Sequence, residues 1–384
     1  MAEALQPRQI TDLSEISEIR KLIFDAIVQY RKMKNRGVVA IFKRDRFDKY
    51  SNFARIGNGS LGGKGRGLAF IDAMIKRNPT FDNIEGVNVT VPKTVVLCTD
   101  IFDTFMESNN LYQIALSDIS DEEILEHFLK AKLPEELKPD FLAFFDVVGK
   151  PIAVRSSSLL EDSHYQPFAG IYSTYMIPSL DDKNEMLRLL LDAIKAVYAS
   201  VFYADSKAYM TATSNVIDQE KMAIILQEVV GTQYNDRYYP SFAGVGRSIN
   251  YYPINDEKAE DGVVDLAIGL GKYIVDGGRS LRFSPRHPNK VLQTSTLDLA
   301  LRDTQTRFYA LDMNRGEKPF SIDDGFNLLK LSVRDAEKDN SLRLMVSTYD
   351  PVDQMIRDGY YDGGRKVVTF ANILQHEAFP LVSI

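Results

Sequence analysis

The run Met222-Ala223-Ile224-Ile225-Leu226 constrains the fold more than any other stretch of the chain. Consecutive apolar residues, bounded by Lys221 and by Gln227-Glu228, read as a core strand. Such a strand needs partners on its edges and cover on its faces. Segment 151–158 (Pro-Ile-Ala-Val-Arg-Ser-Ser-Ser) reads as a second buried strand, one that ends in polar residues. Strand patterns also fall at 87–98 and, by alternation, at 171–177, and residues 238–253 read as paired strands. Helical patterns lie at 64–77, 99–107, 121–132 and 135–147. The longest spans 182–204, with Met186, Leu189, Leu190, Ala193, Ile194, Val197, Val201 and Phe202 at helical spacing. Long strands mixed with helices, without strict alternation, predict an α+β fold whose lobes flank a cleft.

Ahead of this body, residues 12–34 read as an amphipathic helix through Ile16, Ile19, Ile23, Ile27 and Tyr30. Asp12 with Glu15 is an N-cap pair and Gly37 a stop. Val38–Phe42 reads as a short strand, and the charged stretch 43–51 as a connector. Residues 1–50 are therefore a helical lead and linker, and 51–384 the main domain.

Charge and cysteine usage exclude several function classes. Lys plus Arg is 46 against 53 for Asp plus Glu, a net charge of −7, which speaks against a nucleic-acid partner. No apolar run reaches the roughly 18 residues of a membrane span, and the N-terminus has no apolar signal core. Cys98 is the one cysteine, which fits a reducing compartment and makes the cytoplasm the expected location. The four histidines (His127, His164, His287, His376) are not spaced for a zinc site with one another or with Cys98.

Five segments carry residues suited to chemistry. Gly57–Gly67 is glycine-rich, contains Gly62, Gly63 and Lys64, and precedes a helix. Glycines permit close backbone approach, a helix start offers N–H groups, and a lysine adds charge, all of which suit phosphate. It lacks the Ser or Thr after the lysine that a P-loop requires, so a flexible turn is the competing reading. Arg155 at the end of strand 151–158 has the planar fork that clamps phosphate, or it serves a structural ion pair. Residues 161–174 read as a lid-like loop or an ordinary exposed one. Gln227–Gly231 ends the core strand and could meet the edge of a base, or simply close the strand. Gly269-Leu270-Gly271-Lys272, with Asp276–Arg279, is a further glycine-rich turn or a hairpin corner.

Together and in order, these segments resemble the N-terminal nucleotide-binding domain of the phosphoenolpyruvate synthase and pyruvate phosphate dikinase family. The resemblance rests on S-L-G-G-K-G at 60–65, V-P-K-T-V-V-L-C-T-D-I-F at 91–102 and A-V-R-S-S at 153–157. It continues with E-D at 161–162, F-A-G at 168–170 and A-I-K-A-V-Y-A-S-V-F at 193–202. M-A-I-I-L-Q-E-V-V at 222–230 and G-L-G-K at 269–272 complete it.

The resemblance implies an ATP-grasp-like architecture, with ATP and Mg²⁺ between two α+β lobes. It implies that Lys64 and Arg155 contact the ATP phosphates, with Gly62 and Gly63 beside them. Gly170, Ile171, Ser173 and Thr174 would lie over the phosphates, and Gln227, Glu228 and Val230 would line the adenine pocket. In such enzymes phosphate passes from ATP to a histidine on a separate domain and then to pyruvate. Similar domains serve dikinases with a glucan or antibiotic acceptor, and a non-catalytic nucleotide sensor is a further alternative.

Some family features are missing. Lys272 stands where members often carry Glu. The closing strands, one with an acidic metal ligand and one reading Q-x-R-P, have no counterpart, since Leu374-Gln375-His376 lacks the Arg-Pro. Asp350, Asp353, Asp358 and Asp362 are not in the expected setting, so the metal ligands stay unassigned. The expectation is a domain truncated at its C-terminus, a piece of a larger protein that folds but has little or no kinase activity alone. Homo-oligomerisation is left open, and Tyr238, Tyr239, Tyr251 and Tyr252 are expected to pack in the core.

Overall fold

An apolar strand such as Met222–Glu228 must be flanked on both edges, and in the computed structural model it is. The structure describes residues 19, 20 and 23 and, from 39 onward, all but 46, 48–51, 79, 82, 83, 85, 159–169, 213–219, 315–319 and 383. Residues 19, 20 and 23 are helical; the rest of the 12–34 stretch lies outside the described residues.

The first lobe is built on one sheet of β1 (Ala40–Ile41), β2 (Phe53–Ile56), β3 (Thr94–Leu97), β4 (Ile152–Ser158), β5 (Thr174–Ile177) and β6 (Met222–Glu228), in the order β1-β2-β3-β6-β4-β5. β1, β2 and β3 run parallel, while β6 is antiparallel to both β3 and β4. β1 lies within the segment read as a lead, yet it forms the edge of this sheet.

Alternation along the strands splits their side chains between two covers. One face carries Phe53, Val96, Ala223 and Ile225 against α1 (Gly62–Arg77) and its approach, through Leu61, Leu68 and Ala69. The other carries Val95, Leu97, Val154, Ile224 and Leu226. That face is covered by α2 (Thr99–Ser108), α3 (Leu111–Ala115), α4 (Asp121–Lys130), α5 (Leu137–Val148), α6 (Lys183–Ser200) and α7 (Ala204–Ala212). Rings dominate this layer: Phe105 and Phe202 each stand 5.9 Å from Phe128, and Phe102 stands 5.0 Å from Tyr198.

The helix expected over 182–204 is broken. α6 ends at Ser200, whose carbonyl accepts the Ser206 hydroxyl at 2.7 Å. The Ala204 N–H donates to the Asp121 carboxylate at 2.9 Å, and the chain restarts there as α7. These side-chain bonds replace the backbone ladder that a continuous helix would have used.

The second lobe holds three smaller sheets. One contains β7 (Thr232–Tyr234), β8 (Arg237–Tyr239), β12 (Arg307–Asp312) and β13 (Leu328–Ser332). Another contains β9 (Ala243–Arg247), β10 (Val263–Ala267) and β11 (Leu281–Phe283), and the last contains β14 (Val346–Asp350), β15 (Met355–Asp358) and β16 (Arg365–Val368). Short helices α8 (Lys272–Val275), α9 (Leu297–Asp303), α10 (Val333–Lys338) and α11 (Ala371–Leu374) connect them.

Residues 238–253 are therefore not a strand pair. β8 pairs with β7 and β12, and β9 pairs with β10 in a different sheet. Pro240 has no N–H to continue the β8 ladder, which helps end the strand there. Tyr238 and Tyr239 are buried, whereas Tyr251 and Tyr252 are 73% and 80% exposed, so the expected core packing holds for the first pair only. The lobes meet where Ala153, Met176 and Val229 join the cluster around Tyr239, Leu266 and Phe308.

Candidate functional site

The end of β4 is a hub. Ser157 donates its hydroxyl to the Leu61 carbonyl at 2.8 Å and accepts the Gly65 N–H at 2.9 Å. Gly62 adopts φ +70°, and a Cβ there would lie 1.8 Å from the Ser157 carbonyl oxygen, so only glycine fits. The start of α1 is thereby pressed onto β4. Its cap residue Leu61 offers no side-chain hydrogen bond, and its first turn carries no acidic residue. Lys64, in that turn, reaches β4 as well: its Nζ donates to the Ser156 hydroxyl at 3.3 Å. Arg155, the preceding residue, donates to Gln227 Oε1 at 3.1 Å across to β6. Lys64, beside buried Gly62 and Gly63, thus reaches the residue of β4 that follows Arg155.

The glycine-rich loop ahead of α1 is tied down by protein groups. The Asn58 and Gly59 N–H groups donate to the Asp100 carboxylate at 2.8 and 3.0 Å. The Ser60 N–H donates to the Thr99 hydroxyl at 3.0 Å. The amides of residues 58–60 are thus bonded to the start of α2. The N–H groups expected to suit phosphate are those of the helix start, in the α1 turn that follows. Sequence alone does not mark Asp100 and Thr99 as loop clamps: an acidic residue in a helix first turn signals only a favourable dipole position.

Gly170-Ile171-Tyr172-Ser173-Thr174 leads into β5, next to β4. Thr174 is the cross-strand partner of Arg155. Its N–H donates to the Asp324 carboxylate at 2.8 Å, and the Ser173 N–H donates to the Ser200 hydroxyl at 3.2 Å. Gly170 takes φ +79°, a turn conformation suited to glycine, while Ile171 packs on the main core. Residues 161–169, the remainder of the lid-like segment, lie outside the described residues.

At the end of β6, alternation sends Gln227 and Glu228 to opposite faces. Gln227 is 9% exposed and faces Arg155. Glu228 pairs with Lys150 at 2.7 Å, and Val230 is 56% exposed. From the second lobe, Lys272 approaches the same region. Its Nζ lies 3.1 Å from Asp324 and 3.2 Å from Asp276. Burial alone would lower the pKa of the Lys272 ammonium, but the attraction of Asp324 and then Asp276 outweighs it, and the net shift is upward. Asp324 therefore links Lys272 of the second lobe to the Thr174 amide of the first. Among the described residues, no group of three or more His, Cys, Asp or Glu side chains comes together as a metal site. No described helix is long and apolar enough to cross a membrane.

Lys64 and Arg155 thus stand at the end of β4 in the first lobe, beside a helix start whose first turn carries no acidic side chain, a setting whose chemistry suits an anion. Residues 58–337 match the pyruvate phosphate dikinase AMP/ATP-binding domain, and the chain belongs to that family. It is 27% identical over 190 residues to a protein of Bacillus subtilis named uncharacterized phosphotransferase YvkC, covering 49% of this chain and 20% of that one. It is 30% identical over 127 residues to a phosphoenolpyruvate synthase of Aeropyrum pernix, covering 33% of this chain and 13% of the relative. The matched stretches thus span a small part of each relative. The family match ends before the β14–β16 sheet begins at Val346.

Proposed function

We propose that this chain is the ATP-binding part of a phosphotransferase of the phosphoenolpyruvate synthase and pyruvate phosphate dikinase kind, with an ATP-grasp-like cleft between its lobes. The observation that carries the reading is that Lys64, from the glycine start of α1, reaches Ser156 near the end of β4, where the preceding residue is Arg155. Lys64 and Arg155 would neutralise the phosphates, a point charge and a planar fork acting from rigid elements. The Gly170–Thr174 turn would cover them from the adjoining strand. The base would sit at the end of β6, where the chain emerges at exposed Val230 and can offer backbone groups beside apolar surface.

Phosphoryl transfer depends chiefly on positioning and on neutralising charge that spreads over phosphate oxygens. Here both cations come from secondary structure and not from loops. Mg²⁺ is bound in many nucleotide sites largely by phosphate oxygens and water, and supplies charge neutralisation there. The described residues do not present a preassembled carboxylate set for it. The phosphate would pass to a histidine on a separate domain and then to pyruvate, in keeping with the name of the Aeropyrum relative. The lone, buried Cys98 agrees with a reducing, cytoplasmic setting.

The test is calorimetric titration of ATP with Mg²⁺ into the wild-type chain and into Lys64→Ala and Arg155→Ala. Each substitution removes a charge-assisted contact and is expected to weaken binding at least about 10-fold. Absence of binding by the folded wild-type chain, or unchanged affinity in both variants, would overturn the reading.

A further inference from the structure

We propose that Gln227 is a positioning residue for Arg155 and acts on the phosphate end of the site, not on the base. This inference rests on the phosphate-clamping role of Arg155 given above. It follows from the direction of a chain of hydrogen bonds that crosses three strands. The Thr94 hydroxyl donates to the Pro92 carbonyl at 2.7 Å. A hydroxyl has one proton, so toward any other group Thr94 Oγ1 can only accept. Gln227 must therefore present its amide nitrogen, and Nε2 donates to Thr94 Oγ1 at 3.0 Å. That choice turns Oε1 the other way, where it accepts from Arg155 Nη1 at 3.1 Å. The reversed amide would set its NH₂ against the guanidinium and its oxygen against a Thr94 lone pair. Both contacts would be lost together. The network therefore dictates the amide orientation.

The sheet register makes this relay rigid. Thr94 and Ala153 are the direct cross-strand partners of Gln227 on β3 and β4. Arg155 lies two residues beyond Ala153 and so shares its face. Thr94 is fully buried and Gln227 nearly so, which strengthens each bond and makes an unmade one expensive. The relay begins at a backbone carbonyl and ends at a cation. Its chemistry suits holding a guanidinium ready for phosphate, since Gln227 supplies a neutral acceptor that orients Arg155 without cancelling its charge. A carboxylate in the same place would compete with phosphate for that charge.

The experiment compares adenosine with Mg²⁺-ATP. Both are titrated into the wild type, Gln227→Leu, Arg155→Ala and the double variant. Gln227→Leu is expected to weaken Mg²⁺-ATP about 10-fold while adenosine stays within about twofold. In the Arg155→Ala background, Gln227→Leu is expected to add nothing further. Gln227→Glu keeps an acceptor for Arg155 and serves if the leucine variant fails to fold. It is expected to separate the two ligands likewise, because its charge competes with phosphate. Thr94→Val removes the anchor and should shift ATP, not adenosine, by about threefold. Equal losses for adenosine and ATP, or full additivity with Arg155→Ala, would overturn the proposal and leave the Arg155 clamp standing. Failure of the wild type to bind Mg²⁺-ATP would overturn both.

Discussion

The two lobes solve the same problem with different materials. In the first, β4 and β6 pair over seven residues each, inside one six-stranded sheet covered on both faces. Position there is set by backbone ladders and by an aromatic layer around Phe128 and Tyr198. In the second, strands of three to six residues are spread over three sheets, and buried polar side chains do much of the joining. Gln305 is one example: it accepts the Ile268 N–H at 2.8 Å and donates to the Ile268 and Arg307 carbonyls at 3.0 and 2.9 Å. Asp339 is another, taking the Tyr239 hydroxyl at 2.7 Å and Arg237 at 3.2 Å. Lys64 and Arg155, the proposed phosphate clamp, both stand on the first kind of framework. A clamp on phosphate needs fixed geometry, and a continuous ladder provides it more rigidly than loops stitched by side chains.

The contrast breaks most directly on core truncation. Phe128→Ala removes a fully buried ring between Phe105 and Phe202 and is expected to cost about 4 kcal/mol. Denaturant unfolding of this variant should show the loss in whichever transition reports the first lobe. Phe308→Ala, against Tyr239 at 4.8 Å, should cost a similar amount in the second. A Phe308 variant that loses far less would mean that packing matters little there and would sharpen the distinction. Gln305→Leu tests the other material. It is close in size, but it strands buried backbone groups, and a loss of about 2–3 kcal/mol is expected by the same measurement. A neutral result would show that the side-chain bridge is ornamental and that the lobes are held alike.

This difference also governs what could be read from the sequence. The first lobe was legible because its strands are long and apolar and its helices periodic: α1, α2, α4 and α5 and strands β4 and β6 fall within a few residues of the expected spans. The pattern failed where a side chain took over from the backbone. Ser206 and, across a long sequence separation, Asp121 bond the chain where the longest helix ends, and periodicity registers neither. In the second lobe, Tyr238-Tyr239 and Tyr251-Tyr252 are indistinguishable in composition, yet one pair is buried and the other exposed. Short strands leave too few alternating positions to tell them apart. Within the candidate site, Lys64 and Arg155 stood out by residue type and setting. Asp100, Thr94 and Asp324 did not, because their significance lies in contacts across long sequence separations.

The smallest expected effect concerns the seam between the lobes, where Lys272 meets Asp324 and Asp324 in turn accepts the Thr174 N–H. The Lys272 pKa is raised in the folded chain, so the group binds its proton more tightly there than when unfolded. The stability it contributes is therefore fully present below the ordinary lysine range and is lost as pH climbs through the raised folded value. Lys272→Gln should cost about 1 kcal/mol at neutral pH, and the gap between wild type and variant should close only in strongly alkaline solution. Denaturant midpoints measured for both proteins from neutral to alkaline pH would show this. A constant gap across that range would mean that Lys272 contributes through packing of its alkyl stem. The seam would then resemble the apolar contacts of Ala153 and Val229 more than the polar stitching of the second lobe.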